Sequence, residues 1–96
     1  MGYRFEWDRR KATANVGKHG VVFEEASTVF LDPLAFIFDD DDHSDQEHRE
    51  LIVGHSTNGR LMIISFTERA AGVIRIISAR PATKKERENY EKNVSI

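Results

Sequence analysis

The sequence predicts an α+β domain: an antiparallel β-sheet meander with two N-terminal helices and one C-terminal helix. Three observations carry this. Helix-capping residues bracket short polar stretches near both ends. The middle alternates apolar runs with glycine-bearing turns. At 96 residues and 40% hydrophobic content, the chain suits one small core, a single domain over residues 1–96. The element order expected is β-α-α-β-β-β-β-α, with no internal repeat and no linker.

Tyr3-Arg4-Phe5-Glu6-Trp7 alternates aromatic and charged residues, the period of a half-buried strand, and Phe5 and Trp7 are expected in the core. Asp8 stands where an N-cap belongs, and a helix is expected from Arg9 to His19. Gly20 follows where a helix most often ends in a left-handed residue. Phe23, Ala26 and Phe30 recur at helical spacing, before Asp32-Pro33 stops a second short helix. Leu34 to Phe38 is apolar enough for a strand, and Asp39-Asp40-Asp41-Asp42 reads as a solvated loop. His48 to His55 is the next strand, Thr57-Asn58-Gly59 a tight turn, and Arg60 to Glu68 the returning strand. Ala70-Ala71-Gly72 turns the chain into a strand from Val73 to Ala79. These last two strands are apolar on both faces and are expected at the centre. Pro81 ends the sheet, and Thr83-Lys84-Lys85-Glu86 fits a capping box for a charged helix reaching about Asn93.

The net charge of −2 conceals an asymmetry. Residues 1–50 carry 6 Lys/Arg against 12 Asp/Glu, and residues 51–96 carry 8 against 4. The absence of cysteine excludes disulfides, iron–sulfur clusters, thiolate zinc sites and cysteine nucleophiles. No phosphate-cradling glycine loop, H-E-x-x-H or G-x-S-x-G is present. No apolar run, neither Leu61 to Ile64 nor Leu34 to Phe38, is long enough for a bilayer, and a cytoplasmic protein is expected. The aspartate run with His43 and His48 has metal-ligand chemistry, but its spacing matches no cage, and no metal or other cofactor is expected.

The arginines are more informative. Strict alternation places Arg75 with Val73, Ile77 and Ala79, and Arg80 on the other face with Ile74 and Ile76. An arginine inside an apolar strand needs an ion-pair partner, such as Glu47 or Glu68, or a cleft holding an anion. Arg60, Arg69, Arg75, Arg80, Lys84, Lys85 and Arg87 all fall in one C-terminal unit, which suits a polyanion. Lys18 and His19 sit at a helix end, where cations meet the last carbonyls; His19 could also move protons. Tyr90 reads as a packing residue at the solvent edge.

Phe5-x-Trp7-Asp8-x-x-Lys11-x-x-x-Asn15-x-x-Lys18-His19-Gly20-Val21-x-Phe23-x-x-Ala26 resembles the opening of BrnT-type toxins. Arg69, Arg75-Ile76-Ile77-Ser78-Ala79-Arg80, Glu86-Arg87 and Tyr90 resemble their close. The likeness runs from about residue 3 to 91, with Pro81 standing where many relatives carry a basic residue. It implies a RelE-like fold and the toxin half of a bacterial type II toxin–antitoxin pair. It further implies RNA cleavage that blocks translation, and neutralisation by a ribbon-helix-helix antitoxin, BrnA-like, in a complex of two toxins with two antitoxins. Operator DNA would be met only through that antitoxin. On this reading the catalytic candidates are Arg69, Arg75 and Arg80 as a cationic clamp, His19 or Glu47 as base, and Lys18, Arg49 or Tyr90 as acid. Arg60, Lys84, Lys85 and Arg87 are the RNA-binding candidates. A module that binds antitoxin without catalysis is the alternative.

Overall fold

The computed structural model describes residues 2–41 and 47–94. Its elements are β1 (Arg4–Glu6), α1 (Arg9–His19), α2 (Phe23–Thr28), a 3₁₀ turn (Val29–Leu31), β2 (Phe36–Asp39), β3 (Glu50–His55), β4 (Leu61–Ala70), β5 (Val73–Pro81) and α3 (Lys84–Val94). The expected order holds. The Asp8 carboxylate accepts the Lys11 amide and starts α1, and Gly20 ends it at φ 68°. Gly59 and Gly72 supply the positive φ angles of the two turns.

Boundaries differ for local reasons. Asp32 accepts the Leu34 amide on its side chain and the Ala35 amide on its carbonyl, so the chain still turns there, and β2 begins only at Phe36. Asp39 belongs to β2 rather than to the loop, and Asp42 and His43 lie outside the described residues. Pro81 is the last residue of β5 and pairs with Met62. Neighbouring Ala82 donates to Leu61, so the proline nitrogen faces the strand's other edge and no ladder bond is lost.

The five strands run in the order β1-β5-β4-β3-β2. β2 to β5 form the expected antiparallel meander, with β4 and β5 inside. β1 adds a parallel pairing the alternation did not reveal, with Glu6 opposite Arg75. On one face Val21, Phe23, Ala26 and Val29 meet Ile52, Met62, Ile64, Phe66, Ile74, Ile76 and Ala79. Phe5 and Trp7 pack at the margin of this core, half-buried. On the other face Val53, Leu61 and Ile63 pack with Tyr90 of α3.

A bulge corrects the expected facing of β5. Ser65 pairs with Ser78, but Phe66 pairs with Ile76, which leaves Ile77 as an extra residue. Ile74, Ile76 and Ala79 therefore reach the same core. Arg75 and Arg80 consequently share the opposite face instead of being divided.

Two contacts fix the helices to the sheet. Buried Asn15 of α1 donates to the carbonyls of Val21 (3.0 Å) and Ala79 (2.8 Å) and accepts the Ala79 amide (3.0 Å). Glu25 of α2 takes two bonds from Arg60, Nε at 3.0 Å and Nη2 at 2.6 Å, and one from the Ser56 hydroxyl at 2.8 Å. The 3₁₀ turn and the residues after it also press on β3 at Gly54, where a Cβ would lie 2.8 Å from Ala35 Cβ, 3.0 Å from Asp32 Oδ2 and 3.2 Å from Val29 Cγ1.

Replacing Asn15 by Ala leaves three backbone groups without their partner. It should cost about 2–4 kcal/mol in urea unfolding, because each stranded buried group is expensive. Asn15→Asp, of equal size, sets a carboxylate against two carbonyl oxygens and should lose at least as much. A second expectation concerns acid. The Arg60 guanidinium, opposed by burial and helped by Ser56, lowers Glu25 from 4.5 to about 2. A depressed folded-state pKa gives stability that is complete above about 4.5 and lost as pH falls toward 2. Melting temperatures measured across that window should fall for the wild type and fall less steeply for Glu25→Gln.

Candidate functional site

α3 covers only one end of its face of the sheet. Beside it lies a cavity of about 470 Å³, lined by Asp40, Arg49, Ser65, Ile77, Ser78 and Arg80, with Leu51 and Ile63 between. The bulge at Ile77 is what brings Arg80 to this side. Ser65 and Ser78 are a cross-strand pair, the polar interruption in two otherwise apolar strands. Asp40 and Arg49 face one another across β2 and β3, the Asp40 amide donating to the Arg49 carbonyl at 2.9 Å.

Arg80 is held firmly. Its Nη1 and Nη2 bond the two carboxylate oxygens of Glu86, each at 2.8 Å. The same carboxylate accepts the Thr83 amide at 2.8 Å, while the Thr83 hydroxyl accepts the Glu86 amide at 3.2 Å, so the expected capping box forms. The Arg80 fork, against burial and with help from the Thr83 amide, holds Glu86 down at about 2. The same pairing raises Arg80 above its ordinary value. One carboxylate thus caps α3 and orients a permanently charged guanidinium.

A second cavity of about 430 Å³ adjoins the first and shares Leu51, Ile63 and Arg80 with it. It continues between β2 and α3, past Phe36, Phe38 and Tyr90. Tyr90 is buried rather than solvent-edged. Its ring meets Phe36 and His55 edge-on, and its hydroxyl donates to Asp32 Oδ2 at 3.4 Å. Burial, then the Asp32 charge, push the Tyr90 hydroxyl up. Burial also pushes Asp32 up, but the His55 and Leu34 amides outweigh it and leave that carboxyl below its ordinary value.

The remaining predicted residues are dispersed. Arg75 and Arg69 lie farther along the sheet and share Glu6, at 3.2 Å and 3.9 Å. The ion-pair partner of Arg75 is thus Glu6 rather than Glu47 or Glu68; the Glu68 carboxylate accepts the Gly72 amide instead. Lys18 and His19 end α1, which packs on the opposite face, so neither reaches the cavity. Glu47 is exposed ahead of β3, Arg60 is committed to Glu25, and Lys84, Lys85 and Arg87 are exposed on the first turns of α3. The structure adds Asp40, Ser65 and Ser78. The serine pair had a sequence signal in its polarity, whereas Asp40 was hidden in a run of identical residues.

Among the described residues, one group has metal-ligand chemistry: Asp39, His48 and Glu50, with ligand atoms within 4.8 Å of one another. It is largely exposed, and His48 Nε2 already pairs with Asp39 at 3.0 Å. No helix among the described residues is long and apolar enough to cross a membrane. The cavity itself offers two guanidinium groups and two hydroxyls, a donor set suited to a phosphate diester.

No curated protein matches the sequence. The fold is similar to the 1.1 Å crystal structure of the Brucella abortus ribonuclease toxin BrnT, with a TM-score of 0.66 and 20% identity, covering 85% of this chain and 99% of that one. The model of the family described as "Ribonuclease toxin, BrnT, of type II toxin-antitoxin system" matches residues 7–86. With that match running from Trp7 to Glu86 in the capping box of α3, the chain belongs to the BrnT family of ribonuclease toxins of type II toxin–antitoxin systems.

Proposed function

We propose that this chain is a metal-independent endoribonuclease that arrests translation by cutting RNA in the Arg49–Arg80 cavity. The observation that supports this most is the placement of both arginines and both serines around one hollow. Scission needs the 2′-hydroxyl to attack the adjacent phosphate while positive charge meets the developing phosphorane. Guanidinium forks meet phosphate oxygens two at a time, and Arg80 is preorganised by Glu86 to do so. Ser65 and Ser78 supply neutral donors. Asp40 is the carboxylate lining the hollow and is assigned the proton of the attacking hydroxyl. Arg75 and Arg69, farther along the same face, extend the track for the RNA strand. Lys18 and His19, on the opposite face, are assigned to holding the end of α1.

The antitoxin partner implied by the family is proposed to be a ribbon-helix-helix protein that joins the toxin in a two-to-two complex in the cytoplasm. Contact with operator DNA would come through that partner. A non-catalytic docking module is the rival reading, and one observation favours it: both Nη groups of Arg80 are already engaged by Glu86.

An RNA-cleavage assay on the antitoxin-free protein separates the two. Arg49→Ala and Arg80→Ala should each lower the rate by about 100-fold, the usual scale for losing one preorganised charge donor. Chelator should leave the rate unchanged. Arg80→Ala also loosens α3, so the melting temperatures of both variants must be read alongside. Cleavage at the wild-type rate by both would remove the reaction from this cavity.

A further inference from the structure

We propose that the open edge of β2 is the docking strand for the antitoxin, an extended segment of which adds as a sixth strand and runs on into the Arg80 cavity. This rests on the toxin reading above. β2 is the last strand of the sheet, and no described strand lies beyond it. All four of its residues are exposed, three of them large and apolar: Phe36 at 37%, Ile37 at 51% and Phe38 at 48%. An apolar edge strand left bare invites pairing with another chain.

The ladder shows which backbone groups are available. The bond from the Asp40 amide to the Arg49 carbonyl fixes the alternation, so Phe36, Phe38 and Asp40 direct their amides and carbonyls to β3. Ile37 and Asp39 then direct theirs outward, toward an incoming strand. Main-chain bonds would supply affinity, and side chains on one face would supply specificity. Phe36 and Phe38 stand on the α3 side and open onto the groove that ends at Arg80.

The occupant is therefore a segment with apolar residues for Phe36, Phe38 and Leu51, followed by a carboxylate for Arg80 and Arg49. A carboxylate there would take the position assigned to the RNA phosphate, so docking and neutralisation would be one event. A second copy of this chain fits less well, because antiparallel pairing of two β2 edges sets Asp39 of each copy opposite the apolar Ile37 of the other and carries no carboxylate on toward Arg80.

Ile37→Pro removes one outward amide without touching the β2–β3 ladder, and Ile37→Thr keeps the amide while changing the side chain. Ile37 borders the groove but does not line the Arg49–Arg80 cavity, so both changes leave that cavity intact. The probe is the purified protein encoded beside this gene, titrated into wild type and both variants by calorimetry. Ile37→Pro should bind about tenfold or more weakly, the scale of one or two lost hydrogen bonds. Ile37→Thr should bind nearly as wild type, and both should keep the wild-type melting temperature and RNA cleavage. Amide exchange at Ile37 and Asp39 should slow in the wild-type complex.

Undiminished affinity of Ile37→Pro, or unslowed exchange at both amides, would overturn the proposal. So would failure of the neighbouring protein to bind wild type at all, or a dimer of the free protein that Ile37→Pro dissociates, which would name the second copy as occupant. If wild type fails to cleave RNA while these affinities hold, the ribonuclease reading falls and the docking edge stands.

Discussion

The amide of Asn15 is the contact on which the arrangement depends. β5 sits inside the sheet, yet β1 pairs only with its first three residues, Val73 to Arg75. Beyond them one edge of β5 has no neighbouring strand among the described residues. Asn15 closes that edge by accepting from and donating to Ala79, as a strand residue would. Its second donor bond ties the chain just past α1 to the same point through Val21. A helix is thereby joined to a sheet by a side chain that reproduces a strand's own hydrogen-bond pattern. Buried backbone groups left without such a partner would be costly, so the direction of α1 and the course of β5 at Ala79 are set together.

One residue beyond that joint stands Arg80. Its environment shows how a local helix signal comes to serve a site. Thr83 and Glu86 would form a capping box in an isolated helix. Here the carboxylate that completes the box also grips both Nη atoms of Arg80, so the start of α3 and the aim of the guanidinium are coupled. The arrangement keeps the charge in place before any ligand arrives. On the proposed reading, an incoming phosphate would share the arginine with Glu86.

Much of the fold was legible in the sequence because the signals were local. Asp8, Gly20, Asn58-Gly59, Gly72 and Thr83-Glu86 each punctuate the chain by their own stereochemistry, and each acts in the structure as its residue type dictates. The site was less legible. Arg80 could be named from its neighbours in sequence, but Asp40, just past β2, lines the same cavity only because the β2–β3 register carries it there. The parallel pairing of β1 was hidden for the same reason, since it joins residues about seventy positions apart. Arg60 looked like a surface cation of the basic half, yet Glu25, from the acidic half, claims it. Opposite charges in the two halves thus partly neutralise one another within the fold, and a count along the chain could not show which ones.

The bulge at Ile77 carries a consequence for how this segment can vary. Arg75 and Arg80 are five positions apart, an odd spacing that should divide them between faces. The extra residue makes that odd spacing behave as an even one. What matters at position 77 is therefore less the side chain than the irregularity that absorbs it. Removing Ile77 would leave Arg75 and Arg80 four positions apart, and a regular ladder would still hold both on one face. Keeping Ile77 but pairing it regularly would turn Arg80 toward the core now filled by Ala79 and detach Glu86 from its guanidinium. The segment thus tolerates the loss of its extra residue better than the loss of its bulge.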